Sequence, residues 1–88
     1  MEKVIEASPD QIGLHIERAK MHTMAKEYDR AINDYTKAIK LDPERNYLYY
    51  DRALVYRKIG SPGDALADIE KAAELGHFGA QKLLKDWK

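Results

Sequence analysis

Residues 28–43 read Tyr28-Asp29-Arg30-Ala31-Ile32-Asn33-Asp34-Tyr35-Thr36-Lys37-Ala38-Ile39-Lys40-Leu41-Asp42-Pro43. Apolar side chains fall at Tyr28, Ala31, Ile32, Tyr35, Ala38 and Ile39, in steps of three and four. That is the stripe of an amphipathic helix, because 3.6 residues make one turn and a strand would need strict alternation. Asp42-Pro43 closes the helix, since proline disfavours the helical region for its predecessor. Further along, Ala65, Leu66, Ile69, Ala72 and Ala73 repeat the stripe, and Gly76 suits a left-handed helix end.

Working outward, the same offset recurs across the chain. Pro9 and Pro43, Arg18 and Arg52, Ala19 and Ala53, Ala31 and Ala65, Asp34 and Asp68, Lys37 and Lys71, Ala38 and Ala72, and Leu41 and Leu75 each stand 34 residues apart. Repetition at one ungapped period marks a repeat architecture. Each striped helix has a partner upstream. Ser8-Pro9-Asp10-Gln11 has the form of a capping box with proline at the first helical position. It predicts a helix to about Ala25 with Ile12, Ile16 and Ala19 on one face. A second upstream helix is predicted from Asn46 to Ile59, ending at Gly60, with Ser61 as the N-cap of the next. Short connections make neighbouring helices antiparallel. His77 to Lys88 carries a last stripe, Ala80, Leu83, Leu84 and Trp87, with Trp87 expected to cover the end of the stack. Lys3 to Pro9 aligns with Lys37 to Pro43, so residues 1–9 read as the end of a preceding repeat. The expected division of this single all-α domain is 12–45 and 46–79 as repeats and 77–88 as a capping helix.

Composition narrows the function classes. Among 88 residues, 15 Lys and Arg balance 15 Asp and Glu, so no whole-molecule field draws in nucleic acid or an anionic membrane. The absence of cysteine removes disulfides, thiolate zinc sites and cysteine nucleophiles. No apolar run approaches the ~20 residues that span a bilayer, and the first residues lack the form of a signal peptide; the default compartment is the cytoplasm. No phosphate loop, dinucleotide fingerprint, metalloprotease motif or nucleophile elbow occurs. No catalytic, cofactor-binding or metal-ligating set is therefore assigned. His15 and His22 share a helical face, but their spacing is not that of a metal pair, and they are read as packing residues. His77 is read as a turn residue.

The 34-residue helix pair, with small residues at Ala19, Ala31, Ala38, Ala53, Ala65 and Ala72, Tyr28 and Tyr35 beside them, Gly60 between helices and Pro43 near the repeat end, resembles the tetratricopeptide repeat family. The resemblance implies a short right-handed α-solenoid of antiparallel helix pairs. It also implies a non-catalytic role, holding a protein or peptide partner on a concave surface built from the first helix of each pair. Mapped onto this chain, that surface takes Ile16, Glu17, Lys20 and Thr23 from the first repeat, Tyr47, Tyr50, Asp51, Leu54, Arg57 and Lys58 from the second, and Gln81 and Lys85 from the last helix. Some family members clamp a partner's terminal carboxylate with Lys and Asn. Here Asp51-Arg52-Ala53 is similar to their Asn-Arg-Ala, but Asp51 would repel a carboxylate, and Ile16 and Lys20 replace the other clamp positions. A carboxylate clamp is not expected.

Arg18 and Arg52 depart from the family's aliphatic preference, as do Pro62 and His77 from its aromatic and its proline. Each arginine stands 16 residues before an aspartate, Asp34 or Asp68, and an antiparallel pair with a short turn can bring the two together. The prediction is a structural ion pair, Arg18–Asp34 and Arg52–Asp68, inside each repeat. The alternative to peptide binding is a piece of a longer array, or a homo-oligomer that stacks through open repeat ends, since about three repeats are normally needed for stability.

Overall fold

The structure, a computed structural model, describes the backbone of residues 2–87 and the side chains of residues 11–86. Five helices follow one another: α1 (Glu2–Met24), α2 (Tyr28–Leu41), α3 (Asn46–Lys58), α4 (Pro62–Glu74) and α5 (Phe78–Trp87). The main contacts join consecutive helices, α1 with α2, α2 with α3, α3 with α4 and α4 with α5. The fold is an all-α solenoid of packed helix pairs, and its extents of 47 × 29 × 16 Å record the elongation.

The alanines set the helix crossings. Ala19 and Ala53, Ala31 and Ala65, and Ala38 and Ala72 are all fully buried, as is Ala80 on α5. A methyl at each crossing lets the backbones approach, and a larger group would overpack. Between them, Leu48 and Ile69 are the largest side chains wholly withdrawn from solvent. Tyr35, Tyr49, Val55 and Ile39 complete the buried layer.

Three turns share one backbone solution. After α3, the Gly60 N–H donates to Arg57 O at 3.1 Å and the Ser61 N–H to Tyr56 O at 2.9 Å. After α4, the Gly76 and His77 N–H groups bond Ala73 O and Ala72 O in the same pattern. These are Schellman closures, which need a left-handed residue, and Gly60 and Gly76 supply it at φ +78° and +96°. After α1 the closure repeats, Lys26 N–H to Thr23 O and Glu27 N–H to His22 O, with Lys26 at φ +64°. The sequence reading did not single out Lys26, because no glycine marks the position.

Two helix starts differ from expectation. A helix beginning at Ser8-Pro9 was predicted, with residues 1–9 as a separate preceding segment; instead α1 runs from Glu2 without a break. A proline inside a helix gives up its own ladder bond and crowds the carbonyl four residues back, at a cost of about 3 kcal/mol, so Pro9 is a cost that α1 carries and not the start of the helix. The Ser8 cap and the Trp87 cover lie outside the described side chains. At α4, Ser61 does occupy the N-cap position and Pro62 the first turn, but the Ser61 side chain makes no capping bond. Its carbonyl takes the Ala65 N–H at 3.0 Å.

Candidate interaction cleft

The first helices of the two pairs, α1 and α3, face a shared open cleft of about 440 Å³ lined by Lys20, Thr23, Met24, Tyr35, Asp51, Leu54, Val55 and Lys58. Helical spacing explains the α3 contribution. Asp51, Leu54, Val55 and Lys58 step by three, four and seven, so they form one face of the helix. Beyond it, Leu54, Arg57 and Lys58 border a second shallow depression. Of the candidate surface residues, Lys20, Thr23, Asp51, Leu54, Arg57 and Lys58 therefore come together. Met24, Tyr35 and Val55 join the lining unforeseen. Tyr35 belongs to the second helix of its pair, but it reaches the floor between α1 and α3.

The other candidates have different positions. Ile16 packs against the buried core. Tyr47, in the first turn of α3, accepts a hydrogen bond at its hydroxyl from Arg45 Nη1 at 2.9 Å. Arg45 in turn donates from Nε to Asp42 Oδ2 at 2.8 Å. Tyr50 stacks on the His77 imidazole, centroids 4.3 Å apart and planes 17° from parallel. His77, expected only to fill a turn, accepts the Ala80 N–H at Nδ1, 2.9 Å away, and so caps the N-terminus of α5. A Cβ at Gly79 would stand 3.0 Å from that ring, so the glycine makes room for the stack. Gln81 donates to Ala73 O at 3.1 Å, and Glu17 and Lys85 are exposed.

The electrostatics of the cleft are uneven. Burial pushes the Asp51 carboxyl above the usual carboxylate range, with the charges of Lys20 and His77 opposing that rise. Burial, and secondarily the charge of Asp51, pushes the Tyr35 phenol up to about 12. Among the described residues Lys20 and Lys58 have no carboxylate within ion-pair distance. The cleft thus holds a half-buried carboxylate and two ammonium groups outside ion-pair distance of any described carboxylate, around an apolar floor.

Away from the cleft, the two arginine–aspartate pairs lie between the helices of each repeat. Arg52 grips Asp68 with two bonds, Nε to Oδ2 at 2.8 Å and Nη2 to Oδ1 at 2.9 Å. Its third nitrogen, Nη1, donates to Thr36 Oγ1 at 2.9 Å. Its guanidinium carbon lies 6.0 Å from the Tyr49 ring centroid and 5.7 Å from that of Tyr56. The Asp68 hydrogen bonds outweigh burial and push the Arg52 pKa up. Arg18 makes a single contact of 3.2 Å from Nη2 to Asp34 Oδ1. At the positions of Tyr49 and Tyr56 the first repeat has His15 and His22. His15 Nδ1 lies 3.3 Å from Asp34 Oδ1, and His22 sits 3.8 Å from Asp34 Oδ2 and 2.7 Å from Glu27 Oε1. Both histidines thus face a buried acid that the linear sequence did not reveal. Among the described residues, no three His, Cys, Asp or Glu side chains form a metal-holding group, and no helix is long and apolar enough to cross a membrane.

Comparison with known proteins matches two family models, a TPR repeat over residues 19–60 and a tetratricopeptide repeat over residues 47–75. Hsp70-Hsp90 organizing protein 2 of Arabidopsis thaliana is 41% identical over 61 residues, which cover 67% of this chain and 11% of that protein. Hsp70-Hsp90 organizing protein 1 of Glycine max is 38% identical over 63 residues, 72% of this chain and 10% of that protein. Serine/threonine-protein phosphatase 5 of Homo sapiens is 38% identical over 58 residues, 66% of this chain and 12% of that protein. The match with each relative therefore takes in only about a tenth of the relative's length.

Proposed function

The chain belongs to the tetratricopeptide repeat family, and on that premise we propose that it is a protein-interaction module whose cleft between α1 and α3 holds a peptide or helix of another protein. The observation that supports this most directly is the cleft itself. It combines an apolar lining, Leu54, Val55 and Met24, with Lys20 and Lys58, which have no carboxylate within ion-pair distance among the described residues. Such a mixture of apolar contact and convergent charge is typical of recognition surfaces. Catalysis has no part in this reading, and the similarity to the phosphatase covers 12% of that protein.

The relatives' names point to partners among the Hsp70 and Hsp90 chaperones. Asp51 weighs against capture of a chaperone's terminal carboxylate, because a second carboxylate beside it would be repelled. The test is affinity capture from cell lysate with the wild type beside a Leu54→Ala/Lys58→Ala variant of unchanged helical circular dichroism. Partners should be lost from the variant; equal recovery on both would remove the cleft from the binding surface.

A second reading rests on α1. Leu14 and Met21 are 53% and 65% exposed and seven residues apart, hence on one helical face. Exposed apolar side chains on a repeat helix favour stacking on another repeat. Light scattering over a hundredfold concentration range separates the readings: a constant monomer mass rejects self-stacking.

A further inference from the structure

The interaction-module reading leaves the chemistry of the ligand open, and the charge layout of the cleft narrows it. Asp51 and Lys58 are seven residues apart on α3, two turns and about 10 Å along the helix axis. Leu54 and Val55 lie between them on the same face. At the Asp51 end, Lys20 offsets the carboxylate at a distance, without an ion pair. At the other end, the Lys58 ammonium borders the same shallow depression as Leu54. The cleft is therefore polarised: close to neutral but acceptor-rich at one end, apolar in the middle, and positive at the other.

We propose that the cleft takes an internal acidic–apolar segment of a partner protein, with an Asp or Glu side chain on Lys58, an apolar side chain on Leu54, and an uncharged hydrogen-bond donor on Asp51. This rests on the interaction-module reading and deepens it. Charge complementarity selects the acid at Lys58, an exposed lysine with no carboxylate within ion-pair distance among the described residues. Asp51 selects against two alternatives. A chain-terminal carboxylate would meet like charge, and a ligand cation would meet Lys20. A main-chain N–H or a neutral side-chain amide satisfies the half-buried carboxylate without either cost. The span of about 10 Å corresponds to about three residues of extended chain or two turns of ligand helix.

Phage selection on the immobilised protein tests this, using random 12-mers displayed with both ends internal and, in parallel, 12-mers displayed with a free C-terminus. The internal library should yield peptides in which Asp or Glu accompanies Leu, Ile or Phe. Synthetic versions with blocked ends should bind Lys58→Glu about tenfold more weakly than wild type by fluorescence anisotropy. Asp51→Asn should admit peptides with a free terminal carboxylate that the wild type refuses. Lys58→Glu changes an exposed side chain, and circular dichroism checks that it folds; Lys58→Ala serves as a second variant, with a smaller loss. An internal pool without acidic enrichment, or unchanged affinity for both Lys58 variants, overturns the proposal while leaving peptide binding intact. Selection by the wild type of free C-termini alone, or peptides displaced by a second copy of this chain, also overturns it. No enrichment from either library rejects the peptide-binding reading itself.

Discussion

The arginines at equivalent positions 18 and 52 have unequal stakes in the fold. Arg52 is 17% exposed at its side chain and Asp68 8%, with two short bonds between them. Arg18 is 47% exposed and makes one longer contact. Removing one partner of a withdrawn pair strands the other charge, which typically costs about 3–5 kcal/mol. Arg52→Ala should therefore lower the free energy of urea unfolding by about 3 kcal/mol, and Arg18→Ala should lower it by less, because it gives up a single longer contact and leaves Asp34, itself 5% exposed, beside His15 and His22. Asp51 makes the opposite prediction. Its folded-state pKa is raised by burial, so its contribution to stability is fully present below the unfolded pKa and is lost as pH rises through the folded one. Asp51→Asn should melt higher than wild type at pH 7, and the gap should shrink as the pH falls toward 3.5. A gap independent of pH would mean that the carboxylate is not the cause. The sequence paired the arginines with the correct aspartates, because a fixed separation across a short turn limits which residues can meet. It could not rank them, since exposure depends on Tyr49, Tyr56 and Thr36, which come from other turns and another helix.

At the scale of helices and turns, the Schellman closure at Lys26 stands out from those at Gly60 and Gly76. A side chain in the left-handed region costs roughly 1–2 kcal/mol through contact of Cβ with the backbone, partly offset by the greater freedom that glycine loses on folding. Lys26→Gly should raise stability by about 1 kcal/mol, read as a higher thermal midpoint; Gly60→Ala should lower it by a similar amount. Helix positions were largely legible, because α2 and α4 carry regular stripes and the 34-residue offset transfers each boundary to its partner. The exceptions have local causes. Lys26 gave no signal because closure there depends on backbone hydrogen bonds rather than on a glycine. Tyr50 read as a groove residue from its place on α3, while His77, far along the chain, draws its ring into a stack. Tyr35 reached the cleft floor from α2, a helix that the offset alone assigned to the other side of the repeat.

For the molecule as a whole, stability is shared between neighbours. Since the main contacts join consecutive helices, α5 leans chiefly on α4, whereas α2 and α3 are each packed from two sides. In such an array local opening starts at the less supported end. Hydrogen exchange should release the amides of α5 well before those of α2 and α3; equal protection would indicate that the five helices open as one unit. Arg52 ties the two repeats together, because it holds Asp68 of α4 and Thr36 of α2 at once. That bond sets a compatibility rule for lengthening the chain. Splicing in a tandem copy of residues 46–79 would put Glu70 where the duplicated arginine now finds the hydroxyl of Thr36. The guanidinium would then sit between two carboxylates instead of a carboxylate and a neutral acceptor, so a builder of longer arrays would need threonine at that junction to reproduce the native seam.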